Sequence, residues 1–313
     1  MKRPRYDWAG AALEALSAGE PCALISILGV EGSTPREAGT RMAVTAKGTV
    51  GTIGGGNLEF QALKQARAAL GHAPGTWRIQ DYPLGPFLNQ CCGGRVRLMV
   101  ERLDEASGEW LAQVRDKSAY ALETHLRDGH VERSVLEPRT GRLPAKGPFP
   151  AAGEVLIETY GGPLTPLLMF GAGHVGQAIA RISEGLPFDL RWYDSRPEVM
   201  APDLPVVEAT PDEMAAMVQA ADGVVLILTH DHALDYDLTR AALRSSAGFI
   251  GLIGSATKRA RFFSRLGKEG FSDADLVRLH CPVGLAGIIG KAPEVIAVAV
   301  AAQLLCHTGG REA

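Results

Sequence analysis

Thr165-Pro-Leu-Leu-Met-Phe170 runs into Gly171-Ala-Gly173-His174-Val-Gly176, and an Ala/Ile-rich stretch then leads to Phe188–Asp194. The order reads as strand, glycine turn, helix, strand, acid. Gly171 permits a tight turn, Gly173 lets a pyrophosphate approach the backbone, and Gly176 lets helix and strand pack closely. The free N–H groups where the helix opens, at His174 and after, would face phosphates. Asp194 stands 21 residues after Gly173, near the place of an acid that accepts from a ribose hydroxyl. The stretch predicts a Rossmann-like β-α-β unit. It does not by itself predict hydride chemistry, because a fold hosts many functions.

Outward from this unit the chain keeps alternating. Apolar runs at Val206–Val207, Val224–Leu228 and Phe249–Ile253 are separated by helical patterns near Pro211–Ala220, Tyr236–Arg244 and Lys258–Lys268. This predicts a mostly parallel sheet with helices on both faces. Pro293 suits the first position of a last helix reaching about Leu305, apolar nearly all round and so buried or at a subunit interface. Toward the N-terminus the pattern changes. Trp8–Ala18 reads as a helix capped by Asp7, and Cys22–Leu28 as a buried strand. Arg41–Thr45 and Thr49–Ile53 read as short strands, Leu58 to about Leu70 as a helix, and Ala119–Leu126 with Val131–Leu136 as a hairpin across Asp128-Gly129. The predicted fold class is α/β: a C-terminal Rossmann-like domain over 163–313 and a smaller N-terminal α/β domain with a mixed sheet over 1–162.

The bulk numbers agree with a globular chain. Of 313 residues 46% are hydrophobic and 21% charged, and the net charge is −3. No basic tract or basic-aromatic pattern points to nucleic acid. The basic start, Met1-Lys-Arg-Pro-Arg5, lacks the apolar core of a signal peptide, and Ala292–Leu305 is too short for a membrane span. The expectation is a soluble cytoplasmic protein. Five cysteines make no disulfide framework there, and Cys22 and Cys306 read as core.

Several stretches carry polar chemistry. Cys91-Cys92-Gly93-Gly94 places adjacent thiols in a glycine-flanked loop, able to accept sulfur, bind a soft metal or attack a disulfide, or else packed as small hydrophobes. Ser33-Thr34-Pro35-Arg36 and the stretch Gly54–Glu59, which opens on Gly54-Gly55-Gly56-Asn57 and carries Glu59 in the first turn of the helix, form either a second polyanion site or tight turns. Thr229-His230-Asp231-His232 with Asp235 follows an apolar strand, as ligand loops do in open α/β sheets, and reads as ligand contact, metal set or helix cap. Gly254-Ser255 with Lys258, Arg259 and Arg261 suits phosphate or a solvated basic face. Cys281 reads as packing.

Taken together these pieces resemble the xanthine dehydrogenase accessory protein family (XdhC/CoxI). The resemblance is carried by Gly32–Gly39, Gly51–Gly56 with Leu58-Glu59, and Gln90-Cys-Cys-Gly-Gly94. Phe170–Gly176, Thr229–His232 and Gly251–Ser255 with Lys258–Arg261 add to it, as does Cys281–Leu285 before Ala292-Pro-Glu294. It implies a dimer that binds molybdenum cofactor, as molybdopterin or its nucleotide form, without catalysing a reaction of its own. The family holds the cofactor during sulfuration, with a cysteine desulfurase as sulfur donor. It then passes the cofactor to xanthine dehydrogenase or a related molybdenum hydroxylase. Cys91 and Cys92 match the family's cysteine pair and are expected to contact the cofactor. The rival readings are an NAD(P)-dependent oxidoreductase and a nucleotide or redox sensor.

Overall fold

The computed structural model describes residues 7–85, 93–139, 143–162, 164–199 and 204–309. Cys91 and Cys92 lie outside the described residues. The chain divides into two compact units, Met1–Pro163 and Leu164–Ala313.

The first unit holds two sheets. β1 (Cys22–Glu31), β2 (Arg41–Thr45), β3 (Gly48–Gly51), β4 (Trp77–Pro83) and β5 (Arg95–Arg102) pair in the order β3-β2-β1-β5-β4. β6 (Tyr120–Arg127), β7 (His130–Leu136) and β8 (Val155–Tyr160) pair as β7-β6-β8. Every strand pair described in this unit is antiparallel. β1 reads as an unbroken apolar run because it is central and covered twice. Ala23, Ile25 and Ile27 pack in the core shared with the helix Gly56–Ala69. Cys22 and Leu24 face the helices Trp8–Ser17 and Ser107–Val114. That last helix has no counterpart in the sequence reading. Its buried Trp110, Leu111 and Val114 make one apolar face over only two turns.

A buried ion network joins the two sheets. Arg41 on β2 meets Glu158 on β8 at 2.7 Å, and Arg133 on β7 meets Glu101 on β5 at 2.8 Å and Glu158 at 3.4 Å. Burial would raise the pKa of the Glu158 carboxyl, but Arg41 and Arg133 hold it at about 2.

The second unit is one parallel sheet of six strands. β9 (Thr165–Phe170), β10 (Phe188–Asp194), β11 (Val206–Glu208), β12 (Val224–Ile227), β13 (Phe249–Leu252) and β14 (Leu279–His280) lie in the order β11-β10-β9-β12-β13-β14. The chain starts at β9, winds outward through β10 and β11, and returns to β9's other side for β12. The strand order reverses between β9 and β12, and at such a switch point open α/β sheets bind ligands in the crevice outside the carboxyl ends of the strands. β12 and β13 are buried throughout, which is why their sequences lack alternation. One face is covered by the helices Pro211–Gln219, His232–Arg244 and Ala256–Lys268. The other is covered by the helices His174–Ser183 and Pro293–Gly309. The last helix buries Ala297, Val300 and Leu304 in this unit's own core and leaves Val298 46% and Leu305 37% exposed. Among the described residues no helix is long and apolar enough to cross a membrane.

Candidate functional site

Three loops meet at the carboxyl ends of β9, β12 and β13. Gly171 has φ +110°, and a Cβ there would lie 2.3 Å from the Leu228 carbonyl oxygen, so the first loop packs directly on the second. At Gly176 a Cβ would lie 2.1 Å from the Gly171 carbonyl oxygen, and Trp192 Nε1 donates to that same oxygen at 3.0 Å. Helix and strand therefore touch through glycine, as the sequence spacing requires. Gly173 differs from both. It caps the helix His174–Ser183 without a side-chain hydrogen bond, and a Cβ built on it would meet nothing within 4 Å. The helix has no acid in its first turn. Its N-terminus therefore presents backbone N–H groups, positive dipole end outward, beneath open space.

The other two helix starts at this edge are closed by their own side chains. Asp231 accepts from the N–H groups of Ala233 and Leu234, which hold its carboxyl below the usual range. Ser255 accepts from the Lys258 N–H at 3.2 Å. His230 and His232 are exposed beside the crevice. Asp235 is 1% exposed and accepts from the Thr229 N–H at 3.2 Å and the Thr229 hydroxyl at 2.7 Å. It also takes the Lys258 ammonium, which donates in addition to the Ile253 carbonyl at 2.9 Å. Lys258, expected from sequence at a phosphate, is thus turned inward and ties the second loop to the third. Among the described residues no group of three His, Cys, Asp or Glu side chains is arranged to hold a metal. Cys281 is buried, and burial pushes its thiol up.

Asp194 also turns inward. It is 3% exposed, and its Oδ2 accepts from the Ala172 N–H at 2.5 Å. Arg196 grips both oxygens, Nε at 3.1 Å and Nη2 at 2.9 Å, and its own N–H adds a bond at 2.9 Å. Burial would raise the pKa of this carboxyl, but Arg196 and the Ala172 N–H outweigh burial and lower it. The sequence reading gave Asp194 a ribose hydroxyl. The structure gives it the glycine turn and a guanidinium instead. Sequence reasoning passed over Arg196, whose only signal is a basic residue two places after the strand-end acid.

In the first unit the stretches Ser33–Arg36 and Gly54–Gly56 are brought together. A Cβ on Gly54 would meet Pro35 at 2.6 Å. Gly94, two residues past Cys92 in sequence, donates to the Ser33 carbonyl at 3.1 Å. Gly54, Gly55 and Gly56 all have positive φ, but the turn already holds an anion. Glu59 Oε2 accepts from the Thr52 hydroxyl at 2.6 Å, the Ile53 N–H at 2.9 Å and the Gly55 N–H at 3.1 Å. Thr34 bonds back to the Arg36 carbonyl. This geometry supports the tight-turn reading of these residues over a phosphate cradle.

A doubly wound parallel sheet with a glycine turn at its switch point makes the second unit a Rossmann domain. The comparisons agree: residues 167–304 match the model of the XdhC Rossmann domain, and residues 15–82 match that of the XdhC and CoxI family. The chain belongs to the XdhC and CoxI family. It is 26% identical, over 91% of its length, to the uncharacterized protein YqeB of Escherichia coli strain K12, and spans only 43% of that protein. It is also 26% identical to a probable xanthine dehydrogenase subunit from Bacillus subtilis strain 168, over 91% of this chain and 93% of that one. It is 24% identical to the molybdenum cofactor insertion chaperone PaoD of Escherichia coli strain K12, over 88% of this chain and 80% of that one. The crystal structure of a xanthine dehydrogenase from Bacillus halodurans has the same fold, with a TM-score of 0.73, 23% identity, and coverage of 97% and 96% of the two chains.

Proposed function

We propose that this protein is a cytoplasmic, homodimeric chaperone for molybdenum cofactor. It holds the cofactor while a cysteine desulfurase supplies the terminal sulfur, then delivers it to a xanthine dehydrogenase-type molybdenum hydroxylase. The observation that carries the reading is the open, uncapped glycine turn of a Rossmann domain, in a chain related over most of its length to a molybdenum cofactor insertion chaperone. The residues fit the ligand's phosphate. Gly173 leaves room above the backbone, the first helical turn carries no acid to repel an anion, and Arg196 stands at the end of the next strand. When bound, the cofactor supplies the molybdenum centre that the client enzyme needs. The protein's part is to bind the phosphate end on backbone N–H groups and to shield the cofactor until transfer. Cys91 and Cys92 supply soft donors for metal or sulfur in this reading.

The test is purification from a molybdate-fed host, with bound pterin, molybdenum and client activation measured for wild type and for Cys91→Ser/Cys92→Ser at matched melting temperature. Wild type should carry pterin and raise client activity, and the double variant should lose most of both. A wild-type protein without pterin, molybdenum or effect on a client would sink the chaperone reading. Turnover of NAD(P)H with a small substrate, or a nucleotide-dependent change in binding to a partner, would favour the rivals instead.

A further inference from the structure

We infer that the end of β10 is a phosphate position rather than a ribose position, and that Arg196 is the side chain that reads it. The inference goes beyond the chaperone reading, whose cofactor carries no second phosphomonoester, and names its own ligand class: a molecule carrying a phosphomonoester in addition to the phosphate on the glycine turn. In a Rossmann site the acid that ends the second strand ordinarily accepts from a ribose diol, whereas a nearby arginine accommodates a phosphate in its place. Asp194 has no acceptor capacity left over for a diol. Its buried carboxylate takes the Ala172 N–H, the Arg196 N–H and two guanidinium N–H groups.

The same bonds place the cation. Asp194 Oδ2 accepts from both Ala172 N and Arg196 Nη2, so the guanidinium lies beside the middle residue of the glycine turn. The fork uses Nε and Nη2, and among the described residues Nη1 has no hydrogen-bond partner. The Arg196 side chain remains 25% exposed while that of Asp194 is 4% exposed, so the solvent-facing member of the pair is the cation. A guanidinium fixed at its inner edge by a carboxylate and open at its outer edge is preorganised for a second, anionic acceptor. No other guanidinium or ammonium is tied to the turn in this way among the described residues, since Lys258 is spent on Asp235 and Ile253.

Two nucleotides separate the alternatives. Adenosine 5′-phosphate offers one phosphate and a free ribose diol. Adenosine 2′,5′-bisphosphate offers a phosphomonoester where the diol would be. Titration calorimetry on the full chain should give wild type a roughly tenfold or greater preference for the bisphosphate. Arg196→Gln should erase that preference, and Arg196→Lys, which keeps the charge and loses the fork, should restore part of it. Melting curves check that each variant folds, and if Arg196→Gln does not, Arg196→Lys against wild type carries the comparison through a reduced preference. Equal affinity of wild type for the two nucleotides, or no binding of either, overturns the inference, as does a preference that both variants keep in full. Cofactor loading is measured on the same wild-type sample. Loading without nucleotide discrimination removes the inference alone and leaves the chaperone reading standing. Discrimination without loading supports the inference and removes the molybdenum reading. Absence of both removes the two together.

Discussion

The chain makes the same local device twice and uses it differently. In each unit a strand runs into glycines, and a helix starts on them. At Gly54–Gly56 a carboxylate four residues on, Glu59, reaches back and takes the N–H groups of Ile53 and Gly55. At Gly171–Gly176 no first-turn acid exists, the cap has no side chain, and the space over Gly173 is empty of protein. Sequence spacing alone rates the two loops as similar anion cradles. What separates them is one side chain that supplies the anion from within. A glycine-rich turn before a helix therefore predicts ligand only after the first turn has been searched for an internal carboxylate.

The largest expected effect lies where glycine is a packing requirement. Gly176→Ala puts a methyl 2.1 Å from a backbone oxygen that cannot swing away. The second unit should lose about 2–3 kcal/mol or more, the scale of overpacking. Its melting transition should fall by several degrees, and a scan showing an unchanged transition would mean that the helix does not pack on the Gly171 carbonyl through Gly176.

Glu59→Ala is the matching break in the first unit. It strands the buried Ile53 N–H and the Gly55 N–H and frees the Thr52 hydroxyl, a loss of about 2 kcal/mol at the scale of unsatisfied buried donors. If the loop is closed by this carboxylate, the variant should also gain weak affinity for inorganic phosphate at that turn. Denaturant titration with and without phosphate reads both effects, and full stability without Glu59 would restore the loop as an open cradle.

Asp194→Asn tests the acid that faces inward. The carboxyl's folded pKa lies below its unfolded value, near 3.9, so the stabilisation is present above that value and lost as pH falls through the folded pKa. The asparagine variant should be less stable by about 1–2 kcal/mol at neutral pH, a modest figure because Arg196 is partly exposed to solvent. The gap between the two proteins should close below about pH 4. A gap of constant size down to pH 2 would mean that the lost charge is not its cause.

The fold was readable in the sequence where burial leaves a period or a glycine. Thr165–Asp194 gave a β-α-β unit because three glycines at fixed spacing and two apolar runs admit few alternatives, and β12 and β13 gave themselves away as unbroken apolar runs. The helix Ser107–Val114 was not readable, since two turns with one tryptophan carry too little periodicity. The site was half readable. The crevice and its loops follow from strand ends, but the partners of Asp194, Lys258 and Gly55 do not. Each is decided by a side chain whose reach depends on three-dimensional register: Arg196 across two residues, Asp235 across 23, Glu59 across one helical turn. Polar residues at a strand end look alike in sequence whether they face a ligand or one another.

Gly173→Ala should have the smallest effect on stability and is the sharpest use of the comparison. The residue has φ −67° and ψ 179°, an extended backbone that alanine adopts without strain, and the added methyl meets no protein atom within 4 Å. The helix cap loses at most about 1 kcal/mol, because alanine is a poorer cap than glycine. Binding should respond quite differently. A phosphate that reaches the N–H groups of the first turn must pass over this Cα, and a methyl there stands in its path. Gly173→Ala should therefore melt within a few degrees of wild type while its affinity for the bound cofactor, or for adenosine 2′,5′-bisphosphate, falls by roughly tenfold or more. Gly55→Ala is the control in the other unit. Its φ of +73° makes alanine strained, so it should lose stability, yet with Glu59 in the loop it should leave ligand affinity unchanged. Melting curves and titrations of the two variants side by side give a crossed result if only the second glycine turn is open. Equal affinities in wild type and Gly173→Ala would take the turn out of the binding site and leave the two loops alike in function, each serving only to start its helix.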